Sequence, residues 1–205
     1  MPMFLDPQKL LPTCSSAGCP GCPLQERLHC HFQSRDLVRF FAFAFPPFIL
    51  GGIGIARLNA WLLLPWIAGC FSYFGLVEIR VMYSHCPHYA ESGTKTLQCW
   101  ANYGSPKLWK YRSGPMTFGE NIIFFAGLGP VAGFPLVTMV IGNRWLLLFL
   151  FVLLTSGMGI LMARGMCARC MNFAYPFNEV EPATRHAFFA RNPVVGQAWR
   201  STHTD

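Results

Sequence analysis

Four stretches of the chain, Phe40 to Ala56, Ala60 to Val77, Asn121 to Asn143 and Trp145 to Ala163, contain no Lys, Arg, Asp or Glu. A run of this kind is either a helix buried in a large soluble core or a helix crossing a bilayer. At about 1.5 Å of rise per residue each run can cross a hydrocarbon layer roughly 30 Å thick, the first two near the short limit. The chain has 205 residues, of which 12% are charged, about half the share of a typical soluble domain. It holds too few polar elements to bury four such helices, so four membrane spans are expected. The opening MPMFLDPQKLLPTCSSAGC has no continuous apolar segment of signal-peptide length, and the first span is expected to act as its own insertion signal.

The spacing predicts an all-α membrane protein whose four transmembrane helices form two hairpins. Only Arg57, Leu58 and Asn59 separate the first pair, and only Gly142 to Arg144 the second. The chain then divides into an N-terminal Cys/His-rich segment (1–36), hairpin 1 (37–82), a Cys/His loop (83–118), hairpin 2 (119–163) and a C-terminal segment with a C-x2-C pair (164–205). An even number of crossings puts both tails and the central loop on one membrane face. Of sixteen Lys and Arg, only Arg57 and Arg144 lie in the short turns, and Arg35, Arg39, Arg80 and Arg164 flank span ends. By the positive-inside rule the tails and loop are cytoplasmic, in a plasma or inner membrane.

Within the spans, Pro46 and Pro47, Pro65, Pro130 and Pro135 remove backbone donors and are expected to bend the helices. Gly51, Gly52 and Gly54, Gly129 with Gly133, and Gly157 with Gly159 offer places for helices to approach closely. PKLWKYRSGPM (106–116) mixes cations with Trp109 and Tyr111, as a segment lying in the headgroup layer does. A net charge of +7 is accounted for by this topology, and no nucleic-acid partner is expected. ATRHAFFARNP reads as a short surface helix, with Phe188 and Phe189 facing lipid or protein. Glu78 reads as the carboxylate close to membrane depth, expected either to reach the interface or to pair with Arg80 or Arg164.

Cysteine placement carries the chemistry. Of nine cysteines only Cys70 lies within a span, and all six histidines lie outside the spans. Eight thiols facing a reducing compartment point to metal or redox work rather than to structural disulfides. The first group is Cys14, Cys19 and Cys22, spaced C-x4-C-x2-C, followed by Cys30 with His29 and His31 beside it. Cys19-Pro20-Gly21-Cys22 suits a tight turn that aims two thiolates at one ion. The second group is assembled from two segments: Cys86 and Cys99 follow the second span, and Cys167 and Cys170 follow the fourth. Four thiolates on one face suit zinc or an iron–sulfur cluster, with His85 and His88 as substitute ligands or outer partners. Metal-free thiol redox chemistry at the C-x2-C pair is a third possibility.

No G-x-S-x-G elbow, phosphate loop, dinucleotide fingerprint or H-E-x-x-H motif is present. The expected function is that of a membrane protein with one or two cytoplasmic thiolate metal centres, for electron transfer or docking of a soluble or membrane-bound redox partner. Two alternatives follow from the same residues. One is a metalloenzyme acting on a lipid-soluble substrate with His85 or His88 as ligand or acid/base. The other is a metal transporter or metallochaperone using Cys70, Met139, Met158 and Met162 as soft intramembrane ligands.

Overall fold

The computed structural model describes residues 11–15, 19, 21–91 and 93–201; the rest, His203 among them, lie outside it. The chain is mostly helical, and four helices, Ser34–Leu58, Ala60–His85, Phe118–Ile141 and Trp145–Arg169, are long and apolar enough to cross a membrane. The first, α1 (Ser34–Leu58), stops at Asn59, whose backbone turns extended and whose side chain accepts the Trp61 amide at 3.0 Å. The second opens with a 3-10 turn and runs as α2 (Leu63–Ser72). It widens into a π turn over Tyr73–Val77, where the Glu78 amide donates to the Tyr73 carbonyl five residues back, and resumes as α3 (Glu78–Val81). Pro65 falls in the first turn of α2, where an amide donor is spare, so it starts the helix rather than bending it.

The third long helix, α4 (Phe118–Ile141), begins with a capping box: Thr117 accepts the Glu120 amide and the Glu120 carboxylate accepts the Thr117 amide. Gly142 and Asn143, the latter at a φ of 51°, turn the chain into α5 (Trp145–Gly165). Phe41, Phe45 and Ile49 of α1, Phe71 of α2, and Leu146, Phe149 and Leu153 of α5 all face outward. A protein surrounded by water does not keep apolar surface on this scale.

Helix α1 packs chiefly against α4 and α5, and less against α2. Close approach depends on glycines that only partly coincide with those singled out above. A Cβ on Gly51 would meet Phe151 and Pro135 at 3.1 and 3.2 Å, and one on Gly54 would meet Met139 at 2.2 Å. Gly129, Gly133, Gly157 and Gly159 face open space. The tightest contact missing from the sequence reading is Gly127 of α4, where a Cβ would fall 2.3 Å from the Tyr73 ring. That approach brings the Tyr73 hydroxyl to the Phe124 carbonyl, 2.9 Å away.

The packed core sits at one end of the bundle, where the connecting segments converge. Ile79, Val81, Met82 and Tyr83 meet Phe124 of α4, Met166 after α5, and Leu97, Cys99 and Trp100 of the central loop. Within that loop β1 (Thr96–Gln98) pairs antiparallel with β2 (Tyr103–Pro106) through an irregular register. A second apolar cluster joins Leu24 and Leu28 to Cys86, Met171, Phe173 and Phe188. It seats α6 (Pro182–Arg191) and α7 (Pro193–Ser201). Phe188 is buried against protein, which settles the facing of that residue. In the segment 106–116, Tyr111 packs into the core and Arg112 turns inward, so only part of it remains for the surface.

Candidate metal centres

The buried thiols come together from three remote segments. Cys86 follows the 3-10 turn after α3, Cys99 follows β1, and Cys170 closes the 3-10 turn Cys167–Arg169 after α5. Cys86 donates its S–H to the Cys99 sulfur, and Cys170 lies within electrostatic reach of both. Each sulfur also faces backbone amides: that of His88 for Cys86, those of Trp100, Ala101 and Asn102 for Cys99, and that of Asn172 for Cys170. Amide donors aimed at sulfur favour the thiolate over the thiol. The hydrogen bond from Cys86, together with these amides, holds the Cys99 thiol below its ordinary range. Burial pushes Cys86 and Cys170 well above theirs. Cys167 is buried beside Cys170 and faces Glu179, whose amide donates to the Cys167 carbonyl at 3.3 Å.

The N-terminal thiols form a second group. Cys14, Cys19, Cys22 and Cys30 line one small cavity of about 30 Å³ together with His31 and Arg191. The Cys22 amide donates to the Cys19 carbonyl at 3.0 Å, closing a turn in which Gly21 takes a φ of 73°. That is the left-handed conformation a type II turn demands at this position. Burial, with the other three thiols around it, pushes Cys30 up to about 12. Arg191 at the end of α6 places its Nη1 3.3 Å from the Cys22 sulfur. The same corner holds the cysteine segment by its backbone: the Arg191 carbonyl accepts the Ser15 amide at 2.8 Å, and Asn192 Oδ1 accepts the Thr13 hydroxyl at 2.8 Å.

The histidines named from the sequence are occupied in other ways. His85 turns Nδ1 to the Gly114 carbonyl at 2.7 Å and Nε2 to Glu120 at 3.5 Å. His88 is buried and held down to about 4 by desolvation, so it is neutral; its Nε2–H donates to the His29 carbonyl at 3.1 Å, leaving the lone pair on Nδ1. Arg80 pairs not with Glu78 but with Glu120, at 3.5 Å. Glu120 also receives Arg112, whose Nη2 donates to the Ser84 hydroxyl at 2.8 Å. Glu120 is thus a second carboxylate near membrane depth, and the Thr117-x-x-Glu120 capping-box spacing is the signal that finds it.

The sequence placed His29 only as a neighbour of Cys30, and no motif signals the joining role it has here. Its amide donates to the Arg169 carbonyl at 2.8 Å, its carbonyl accepts His88, and its Nδ1 meets Asp36 of α1.

Among the described residues no three Cys, His, Asp or Glu side chains already stand around a common point as a metal shell. The thiols are gathered and partly polarised, and cation binding would have to draw them inward and release their protons. No family model, no curated protein and no solved structure matches this chain.

Proposed function

We propose that this is an integral membrane protein built as two helical hairpins, with tails and central loop on the cytoplasmic side of a plasma or inner membrane. It carries one or two thiolate centres for iron or zinc at that face, and serves electron transfer or the docking of a redox partner. The observation that carries the reading is the meeting of Cys86, Cys99 and Cys170 in a sealed core, with three backbone amides turned toward the Cys99 sulfur and one toward each of the others. Ordinary buried thiols pack as small hydrophobes, whereas Cys99 faces three amide donors. A metal there would tie the central loop to the C-terminal segment, so that the two hairpins are clasped at one end. The helix faces exposed by α1, α2 and α5 support the bilayer as the surrounding medium.

The test is anaerobic purification in detergent, followed by metal analysis and a visible spectrum. Iron with thiolate charge-transfer absorption that bleaches on reduction supports electron transfer. Zinc without such absorption supports docking. Protein that holds neither metal removes the proposal.

A further inference from the structure

The N-terminal cavity permits a narrower statement. Four thiols and one guanidinium line the same half-open cavity. Four thiols around one cavity, with no carboxylate among its lining residues, make the all-sulfur donor set of a structural tetrahedral site. We propose that Cys14, Cys19, Cys22 and Cys30 take one tetrahedral ion of the zinc type, with Arg191 as its counter-ion. This rests on the thiolate-metal reading above and specifies what its N-terminal centre holds.

Local geometry supports the assignment. The Gly21 turn joins Cys19 to Cys22, and Cys30, eight residues further along, lines the same cavity. Cys14 sits between two anchors, since Thr13 and Ser15 are both hydrogen-bonded to the Arg191–Asn192 corner. Four thiolates around a divalent ion leave two excess negative charges. The guanidinium 3.3 Å from the Cys22 sulfur offsets part of that charge. Because Arg191 closes α6, filling the cavity would be felt at once by the α6–α7 corner.

The experiment uses the full chain in detergent, stripped of metal and titrated with Zn²⁺, and with Co²⁺ as a spectroscopic probe. Tetrahedral cobalt–thiolate bands are expected, and the Cys14→Ser/Cys22→Ser double variant should bind one ion fewer than the unsubstituted chain. Arg191→Ala should weaken zinc binding about tenfold, the worth of one charge-assisted hydrogen bond, and Arg191→Lys should recover part of it. Iron and acid-labile sulfide that depend on Cys14 and Cys22 would overturn the single-ion assignment while leaving the thiolate reading intact. No metal of either kind at these cysteines would overturn the N-terminal centre altogether. Unchanged zinc affinity in Arg191→Ala would overturn the counter-ion role even if the double variant fails to fold.

Discussion

The Nδ1 of His29 lies 3.2 Å from the carboxylate of Asp36, and both side chains are nearly sealed from solvent. Burial holds His29 below its ordinary range, so at neutral pH the neutral ring donates Nδ1–H to Asp36. Asp36 also faces Arg39 at 3.6 Å and belongs to the first turn of α1. This one contact fastens the cysteine-bearing segment to the first span. Asp36→Ala leaves a buried donor unpaired and should cost about 1–3 kcal/mol. Limited proteolysis should then cut residues 11–33 faster, and equal cutting rates would contradict the fastening role.

Glu120 collects Arg80, Arg112 and His85 at the mouth of α4. Glu120→Gln keeps the shape but removes the charge these groups share, and it weakens the cap on Thr117. A loss of about 2–3 kcal/mol is expected, in the range of hydrogen bonds to charged groups. Thermal unfolding in detergent measures it, and the loss should shrink in an Arg112→Met background because the two residues interact directly.

Removing Cys86 should be felt across the molecule rather than within its own loop. Cys86→Ser replaces the sulfur by a smaller, more polar hydroxyl and disturbs the pocket shared with Cys99 and Cys170. Proteolysis of residues 164–201 and alkylation of Cys170 should both accelerate. If neither changes, the central loop and the C-terminal segment do not share a centre.

Acid should loosen this end of the protein. Burial holds His88 at about 4, against its ordinary 6.5. Between those values the unfolded chain binds a proton that the folded one refuses, so stability falls as pH drops through the window and is fully present above it. The slope approaches about 1.4 kcal/mol per pH unit. His88→Gln should flatten the melting-temperature profile between pH 6.5 and 4.

Glycine contacts separate packing from mere smallness. Gly127→Ala drives a methyl group into the Tyr73 ring and should cost about 1–3 kcal/mol. Gly129→Ala, facing open space two residues on, should be neutral or slightly stabilising. Comparable losses from both would contradict the packing described.

The four spans were legible because an uncharged run of bilayer length has few other uses. The partners of the buried thiols were half legible. The spacing put Cys86, Cys99 and Cys170 at one end of the bundle, but which sulfur faces which amide depends on turns of three or four residues that leave no periodic signal. His85 and His88 resembled ligands by proximity to Cys86. Their actual partners, Gly114, Glu120 and the His29 backbone, lie far off in the chain, and no local pattern points to a backbone carbonyl. Gly127 was missed for a related reason: a glycine shows its purpose only when the ring packed on it is known.

The widened turn at Tyr73–Val77 carries one residue more than an α-helical turn would hold. Everything beyond it is therefore rotated by about 100° relative to an unbroken helix. In that rotated phase Ile79 lies in the core and Arg80 meets Glu120. Deleting Gly75 would restore an even helix and swing the Cys86 loop by the same angle, away from Cys170. Assembly of the sulfur group is thus set by the phase of the second long apolar helix, several residues from the nearest thiol in that group.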